Sequence, residues 1–119
     1  MDIEALRTYC LNKPGVTEDM PFGDTVLALR VKGKIFLLVP LDTIGLQMNL
    51  KCDPEKAQEL RATYSAVVPG YHMNKTHWNT VYVDGSFSDA ELIEWIDHSY
   101  ELIKKSLPKP LQKELSENI

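Results

Sequence analysis

Hydrophobic positions recur with a helical period in two segments of the chain, and start signals predict a third helix between them. Ile3, Leu6 and Cys10 lie on one face of a first helix that Asp2 caps and Lys13-Pro14-Gly15 ends. A second helix is predicted from Asp53-Pro54 to about Tyr64, because a capping aspartate precedes a proline at the first helical position. The third begins at the capping box Ser88-Asp89-Ala90-Glu91, is stopped by Pro108, and carries an apolar stripe of Leu92, Ile93, Ile96, Ser99, Tyr100 and Ile103.

Between the first two helices the pattern changes to a period of two. From Gly45 to Lys51, apolar residues alternate with polar ones: Leu46, Met48 and Leu50 with Gln47, Asn49 and Lys51. This alternation predicts a strand in a sheet with one solvent-exposed face. Lys32-Gly33 predicts a tight hairpin in which Gly33 adopts a positive φ. The predicted strands cover 16–20, 25–31, 34–40, 45–51 and 79–83. Val67-Val68, before the break at Pro69-Gly70, allow one more.

The order of elements predicts an α+β fold in two layers, with helices packed on one face of an antiparallel sheet. We expect a single domain over residues 1–107 and a C-terminal tail over 108–119, which forms a short helix through Leu111 and Leu115. The opposite face of the sheet must then meet water or a partner.

Composition narrows the class of protein. A chain of 119 residues with 44% hydrophobic and 25% charged residues is typical of one globular domain. No apolar run reaches the length of a membrane helix, and the acidic start Met1-Asp2-Ile3-Glu4 does not resemble a signal peptide. Cys10 and Cys52 provide neither a disulfide framework nor a zinc site. The expectation is a soluble, cytoplasmic protein without a membrane partner.

The charge is unevenly distributed although the net charge is −4. Residues 88–101 contain five acids and no Lys or Arg. Residues 25–51 contain a single acid, Asp42, against four cations: Arg30, Lys32, Lys34 and Lys51. This basic hairpin is compatible with phosphate contacts, but also with lysines that protect a sheet edge from aggregation.

The densest polar cluster is the segment 72–79, His-Met-Asn-Lys-Thr-His-Trp-Asn. A metal site on His72 and His77 is disfavoured, because their spacing fits neither a helix face nor a strand face. A nucleophile, Cys52, would need one of these histidines beside it. Lys75 and Trp78 offer a cation and a stacking surface for nucleic acid. The structural alternative is a loop held by Asn74 and anchored by Trp78.

The same segment carries a family resemblance. Residues 69–81, Pro-Gly-Tyr-His-Met-Asn-Lys-Thr-His-Trp-Asn-Thr-Val, resemble the signature of the MmcQ/YjbR family of small bacterial proteins. Further matches in the same order cover the chain to about Leu107; they are 13–15, 21–23, 31–36, 49–54, 84–86 and 97–100. The resemblance implies a compact α+β fold, similar to the "double wing" DNA-binding domain of a phage transcription factor.

Members of this family are commonly labelled DNA-binding, and that label rests on fold analogy. The resulting hypothesis is a regulatory DNA-binding protein that uses a basic sheet face and the motif loop, His72–Trp78. The residues assigned to it are Arg30, Lys32, Lys34, Lys51, Asn74, Lys75, His77 and Trp78. The alternative is a non-enzymatic module that binds a protein or a small anion on the same face, through Lys51, His72, Asn74, Lys75, His77 and Trp78. A concave site would favour the second hypothesis and a flat positive face the first. No catalytic constellation, metal or cofactor is predicted.

Overall fold

The computed structural model describes residues 1–70 and 73–117. Within these residues, four helices and six strands follow one another, with bounds close to those predicted. They are α1 (Ile3–Leu11), β1 (Val16–Asp19), β2 (Val26–Val31), β3 (Lys34–Pro40), β4 (Gln47–Lys51), α2 (Pro54–Thr63), β5 (Val67–Pro69), β6 (Trp78–Tyr82), α3 (Asp89–Ser106) and α4 (Lys109–Glu117).

The strands form one antiparallel sheet in the order β1-β2-β3-β4-β6-β5. The helices cover one face, and α3 lies across the central strands β2, β3 and β4. The predicted two-layer α+β architecture is therefore confirmed. Among the described residues, no helix has the length and apolar character needed to cross a membrane.

The hydrophobic core lies between the helices and the covered sheet face. Phe36, Met48 and Leu50 from the sheet meet Leu92 and Ile96 from α3. Within α3 the buried positions differ from prediction at one point, because Trp95 is buried whereas Ile93 is only half-buried. Trp95 packs in an aromatic cluster with Tyr64 and Phe87, which draws it toward α2.

The local signals that the sequence carries have their expected geometry. Asp2, Asp53 and Ser88 accept hydrogen bonds from the first turns of α1, α2 and α3. In the hairpin between β2 and β3, both Lys32 and Gly33 have positive φ, at 48° and 87°. Two consecutive positive φ angles are the requirement of the tight turn that matches the twist of the strands.

A β-bulge interrupts the β2–β3 ladder in a way that the sequence does not reveal. Leu29 pairs with Leu37 and Arg30 with Ile35, so Phe36 is the extra residue. The hydroxyl of Ser99 on α3 donates to the carbonyl of Phe36 at 2.5 Å and accepts from the Lys51 amide at 2.9 Å. Ser99 thus satisfies backbone groups of β3 and β4 where these strands no longer pair with each other.

The tail predicted after Leu107 is helical and belongs to the packed body. Leu115 of α4 is buried in the core cluster beside Leu107. Its side chain covers Gly15, where a Cβ atom would collide with it. Glu114 adds an ion pair to Lys32 at 3.0 Å.

Candidate functional site

The sheet face opposite the helices is the candidate site. Strand register places one row of side chains across all six strands: Asp19, Ala28, Leu38, Asn49, Thr80 and Val68. On β4, Gln47 and Lys51 flank Asn49 on the same face, as the alternation predicts. Lys51 lies directly opposite Trp78. We call this surface the open face.

The open face is concave. Loops at both ends of the strands rise beside it and, with the sheet, enclose a groove of about 740 Å³. We call it the open-face groove, and its lining is mainly apolar: Phe22, Val26, Ile35, Leu38, Pro40, Asp42, Thr43, Gln47, Asn49, Met73 and Trp78. A volume of this size lies within the usual range of ligand pockets, roughly 300–1,000 Å³.

Asn49 forms the polar centre of the groove floor. Asn49 is only 9% exposed, although its side chain points to the sheet face predicted to be solvent-exposed. The Thr80 hydroxyl donates to Asn49 Oδ1 at 2.5 Å. This bond occupies Oδ1 of the Asn49 amide. The Nδ2 donor of the same amide has no hydrogen-bond partner within residues 1–70 and 73–117.

The cations of the predicted basic face do not lie together. Lys32 forms an ion pair with Glu114 of α4, and Lys34 donates to the Ser106 hydroxyl of α3 at 3.0 Å, so both point to the helix side. Arg30 lies on the open face, but its guanidinium binds Asp19 at 2.8 Å and the Gly33 carbonyl at 3.0 Å. The structure therefore does not place Lys32 and Lys34 on the open face.

Lys51 and Lys75 differ from the hairpin cations. In the part of the chain that the structure describes, neither side chain has an ion pair. Lys51 is half-buried beside Trp78, whereas Lys75 is exposed. The contact of either residue with nucleic acid remains a prediction.

The motif loop is described from residue 73, and its part before β6, residues 73–77, is shaped by its own side chains. Asn74 Oδ1 accepts from the Thr76 amide at 2.9 Å, which is the turn-forming role considered for it. His77 is exposed, and its carbonyl accepts from the Cys52 amide at 2.8 Å. His72, the remaining residue of the predicted ligand set, lies outside the described residues.

Arg61 on α2 connects this loop to the rest of the protein, a role that no pattern in the sequence indicates. Its Nε donates to Asn79 Oδ1 at 2.7 Å, and its NH2 group donates to the carbonyls of Lys75 and Trp78. Gly70 approaches Trp78 so closely that a Cβ atom would lie 2.8 Å from the Trp78 Cβ. These contacts fix Trp78 at the edge of the groove.

Cys52 does not have the environment of a nucleophile. The residue is buried, and burial raises the pKa of its thiol to about 11. His98 of α3 lines the same small cavity, but its Nε2 accepts from the Asp53 amide at 3.1 Å. Burial, aided by Lys56, lowers the pKa of His98, so the imidazole is neutral when it holds this bond. A thiol kept protonated beside a neutral imidazole is not an activated pair.

Three residues could be assigned a role only once the fold was known: Asn49, Ser99 and Phe22. A serine within an apolar helical stripe hints at a buried hydrogen bond, and Ser99 has one. Phe22 sits in a loop and is 62% exposed, although it lines the groove. Sequence pattern could assign Asn49 to a face but not show that this face is concave.

The fold and the site together define a class of protein: a small α+β domain whose sheet carries an uncovered, largely apolar groove. The YjbR family profile matches residues 11–102 of this chain. The protein named YjbR from Escherichia coli K12 is 35% identical over 113 residues, covering 95% of this chain and 96% of the relative. The chain therefore belongs to the YjbR family, as its motif predicted.

A further relative and two solved structures also match most of this chain. YbdF of E. coli O157:H7 is 37% identical over 111 residues, covering 92% of this chain and 90% of that protein. The crystal structure of the Deinococcus radiodurans protein DR2400, described as a DUF419 domain, superposes with a TM-score of 0.90 at 36% identity, covering 97% of this chain and 88% of that one. A Pseudomonas syringae protein superposes with a TM-score of 0.73 at 28% identity, covering 86% and 98%.

Proposed function

We propose that this protein is a non-enzymatic binding module that takes a small, mainly apolar ligand into the open-face groove. The observation that carries the proposal is the shape and lining of the open face: a groove of about 740 Å³ with an apolar floor and aromatic side chains at its edges. Exposed apolar surface of this kind, rimmed by polar groups, is typical of a binding site.

The electrostatics of the face favour a ligand over DNA. Duplex DNA is bound by rows of cations that neutralise several phosphates. Here Arg30 is paired with Asp19, and Lys32 and Lys34 face the helices. Asp42 adds a carboxylate to one end of the groove. What remains on the open face is a concave, mainly apolar surface with Lys51, a lysine left unpaired among the described residues, and this surface suits a small ligand better than a phosphate backbone.

The binding test uses N-phenyl-1-naphthylamine, a neutral apolar dye whose fluorescence rises on leaving water. We expect saturable binding to the folded protein. Replacing Phe22→Ala should weaken binding by roughly fivefold, the equivalent of about 1 kcal/mol for a half-exposed aromatic contact. The matched control is Ile44→Ala, since Ile44 is fully exposed and does not line the groove.

The outcomes separate clearly. Absence of saturable dye binding by the folded protein would overturn the proposal. Equal affinities of the wild type and the Phe22→Ala variant would place the dye elsewhere and overturn it as well. A loss specific to Phe22→Ala supports the groove, because both variants remove an exposed apolar side chain and only Phe22 lines the groove.

A further inference from the structure

We infer that the ligand of the open-face groove is a small organic anion, an apolar body that carries one carboxylate or similar oxyanion bound between Asn49 and Lys51. The inference rests on the proposed function and names the chemistry of its ligand. It follows from two polar groups on β4: Asn49 lines the groove, and strand alternation places Lys51 on the same face, opposite the groove residue Trp78.

The first of these groups is the amide of Asn49. An amide donor without a hydrogen-bond partner, in a groove lined mainly by apolar side chains, favours a ligand that supplies an acceptor. The Thr80 hydroxyl holds Asn49 Oδ1 at 2.5 Å, so the opposite side of the amide, Nδ2, presents its hydrogens to the groove. With nine-tenths of the residue buried, an oxygen atom of a ligand is the partner that this donor lacks within the described residues.

The second group is the ammonium of Lys51. Lys51 follows Asn49 by two residues on the same strand and therefore points to the same face, at a spacing of about 6.5–7 Å along the strand. Its stem lies opposite Trp78, and the described part of the chain supplies no carboxylate to pair with it. An oxyanion between the two residues would accept from Asn49 Nδ2 and neutralise Lys51.

Charge sets the direction of the ligand in the groove. Asp42 lines the groove near the loop between β3 and β4, whereas Lys51 ends β4 at the opposite side. An anionic group is repelled by the first and attracted by the second. The apolar body then covers Leu38 and Met73 in the remaining groove.

The test compares two dyes that share an aromatic body. 8-Anilinonaphthalene-1-sulfonate carries one sulfonate, and N-phenyl-1-naphthylamine is the same body without it. We expect the wild type to bind the anionic dye at least tenfold more tightly than the neutral dye. Lys51→Gln should lower the affinity for the anionic dye about five- to tenfold and leave that for the neutral dye unchanged. The control Lys109→Gln removes a positive charge from the exposed start of α4 and should affect neither dye.

Asn49→Leu provides the second variant, checked by urea unfolding because the side chain is buried. It should reduce the preference for the anionic dye in the same direction as Lys51→Gln. Equal affinity of the wild type for both dyes, or a Lys51→Gln variant that retains the full preference, would overturn the inference. If the neutral dye still binds in a Phe22-dependent manner, the proposed function stands while this inference fails. If neither dye binds, both fail.

Discussion

At the scale of single residues, the groove depends on side chains that hold others in place. Arg61 is the clearest case, since it reaches from α2 to the side chain of Asn79. It also donates to the carbonyls of Lys75 and Trp78. Asn79 itself is only 2% exposed, and its Nδ2 atom has no partner in the structure as described. A buried amide with one satisfied end depends strongly on the bond that remains.

Replacing Arg61→Gln should therefore destabilise the fold and loosen the edge of the groove. The loss of charged hydrogen bonds to three acceptors predicts a decrease of about 1–3 kcal/mol in the free energy of unfolding, measured in urea. Lys104→Gln, which removes a cation from α3, provides the control. An Arg61→Gln variant as stable as this control would show that the hydrogen bonds of Arg61 do not stabilise the fold.

His98 makes the stability sensitive to pH. Its folded pKa lies below the ordinary value of 6.5 because burial disfavours the charged ring. As the pH falls below about 6.5, the unfolded chain takes up a proton that the folded His98 resists, so the free energy of unfolding decreases. Above that pH the imidazole is neutral in both states and contributes nothing to the slope.

We expect urea unfolding to show a larger loss of stability between pH 7.5 and 5.5 in the wild type than in a His98→Gln variant. Glutamine can still accept the hydrogen bond from Asp53 but does not titrate. The carboxylates are ionised at both pH values and largely cancel in the comparison. An identical pH dependence of the two proteins would rule out His98 as the source.

At the scale of elements, most of the fold could be predicted because its signals are local. Caps at Asp2, Asp53 and Ser88, the turn at Gly33 and the alternation in β4 all act within a few residues. Three features could not be predicted: the bulge at Phe36, the depth of the groove and the hydrogen bonds of Arg61. They depend on how distant segments meet, which neither period nor composition encodes.

The position of α4 is an example of a distant contact with a testable cost. Leu115 is almost fully buried against Gly15, so Leu115→Ala should leave a cavity between α4 and the turn before β1. We expect a loss of about 2–3 kcal/mol in unfolding free energy, near the lower end for buried leucines because a terminal helix can adjust. Lys109→Ala on exposed α4 surface is the control, and a similar small effect of both would show that α4 does not contribute to the core.

At the scale of the whole molecule, the charge distribution predicts that any binding to nucleic acid is weak. The net charge is −4, and three of the hairpin cations already have partners. If Lys51 and Lys75 alone contacted phosphates, affinity would fall only about tenfold between 50 and 200 mM salt, because each phosphate contact contributes a slope of roughly −0.9.

Titration of labelled duplex DNA should accordingly give a dissociation constant weaker than about 100 µM near physiological salt, at the weak limit of non-specific binding. Lys51→Glu combined with Lys75→Glu should abolish whatever binding is seen at low salt without unfolding the protein. A constant tighter than about 1 µM would contradict this expectation and restore a DNA-binding surface as the leading hypothesis.

The hydroxyl of Ser99 makes α3 part of the hydrogen-bonded sheet. Through it the amide of Lys51 reaches a helix rather than a neighbouring strand, and the carbonyl of Phe36 does the same. Exchange of the Lys51 amide with solvent deuterium therefore requires α3 to separate from the sheet, not merely the strands to part. The helix layer and the floor of the groove should open as one cooperative unit, so that the site is lost only when the whole protein unfolds.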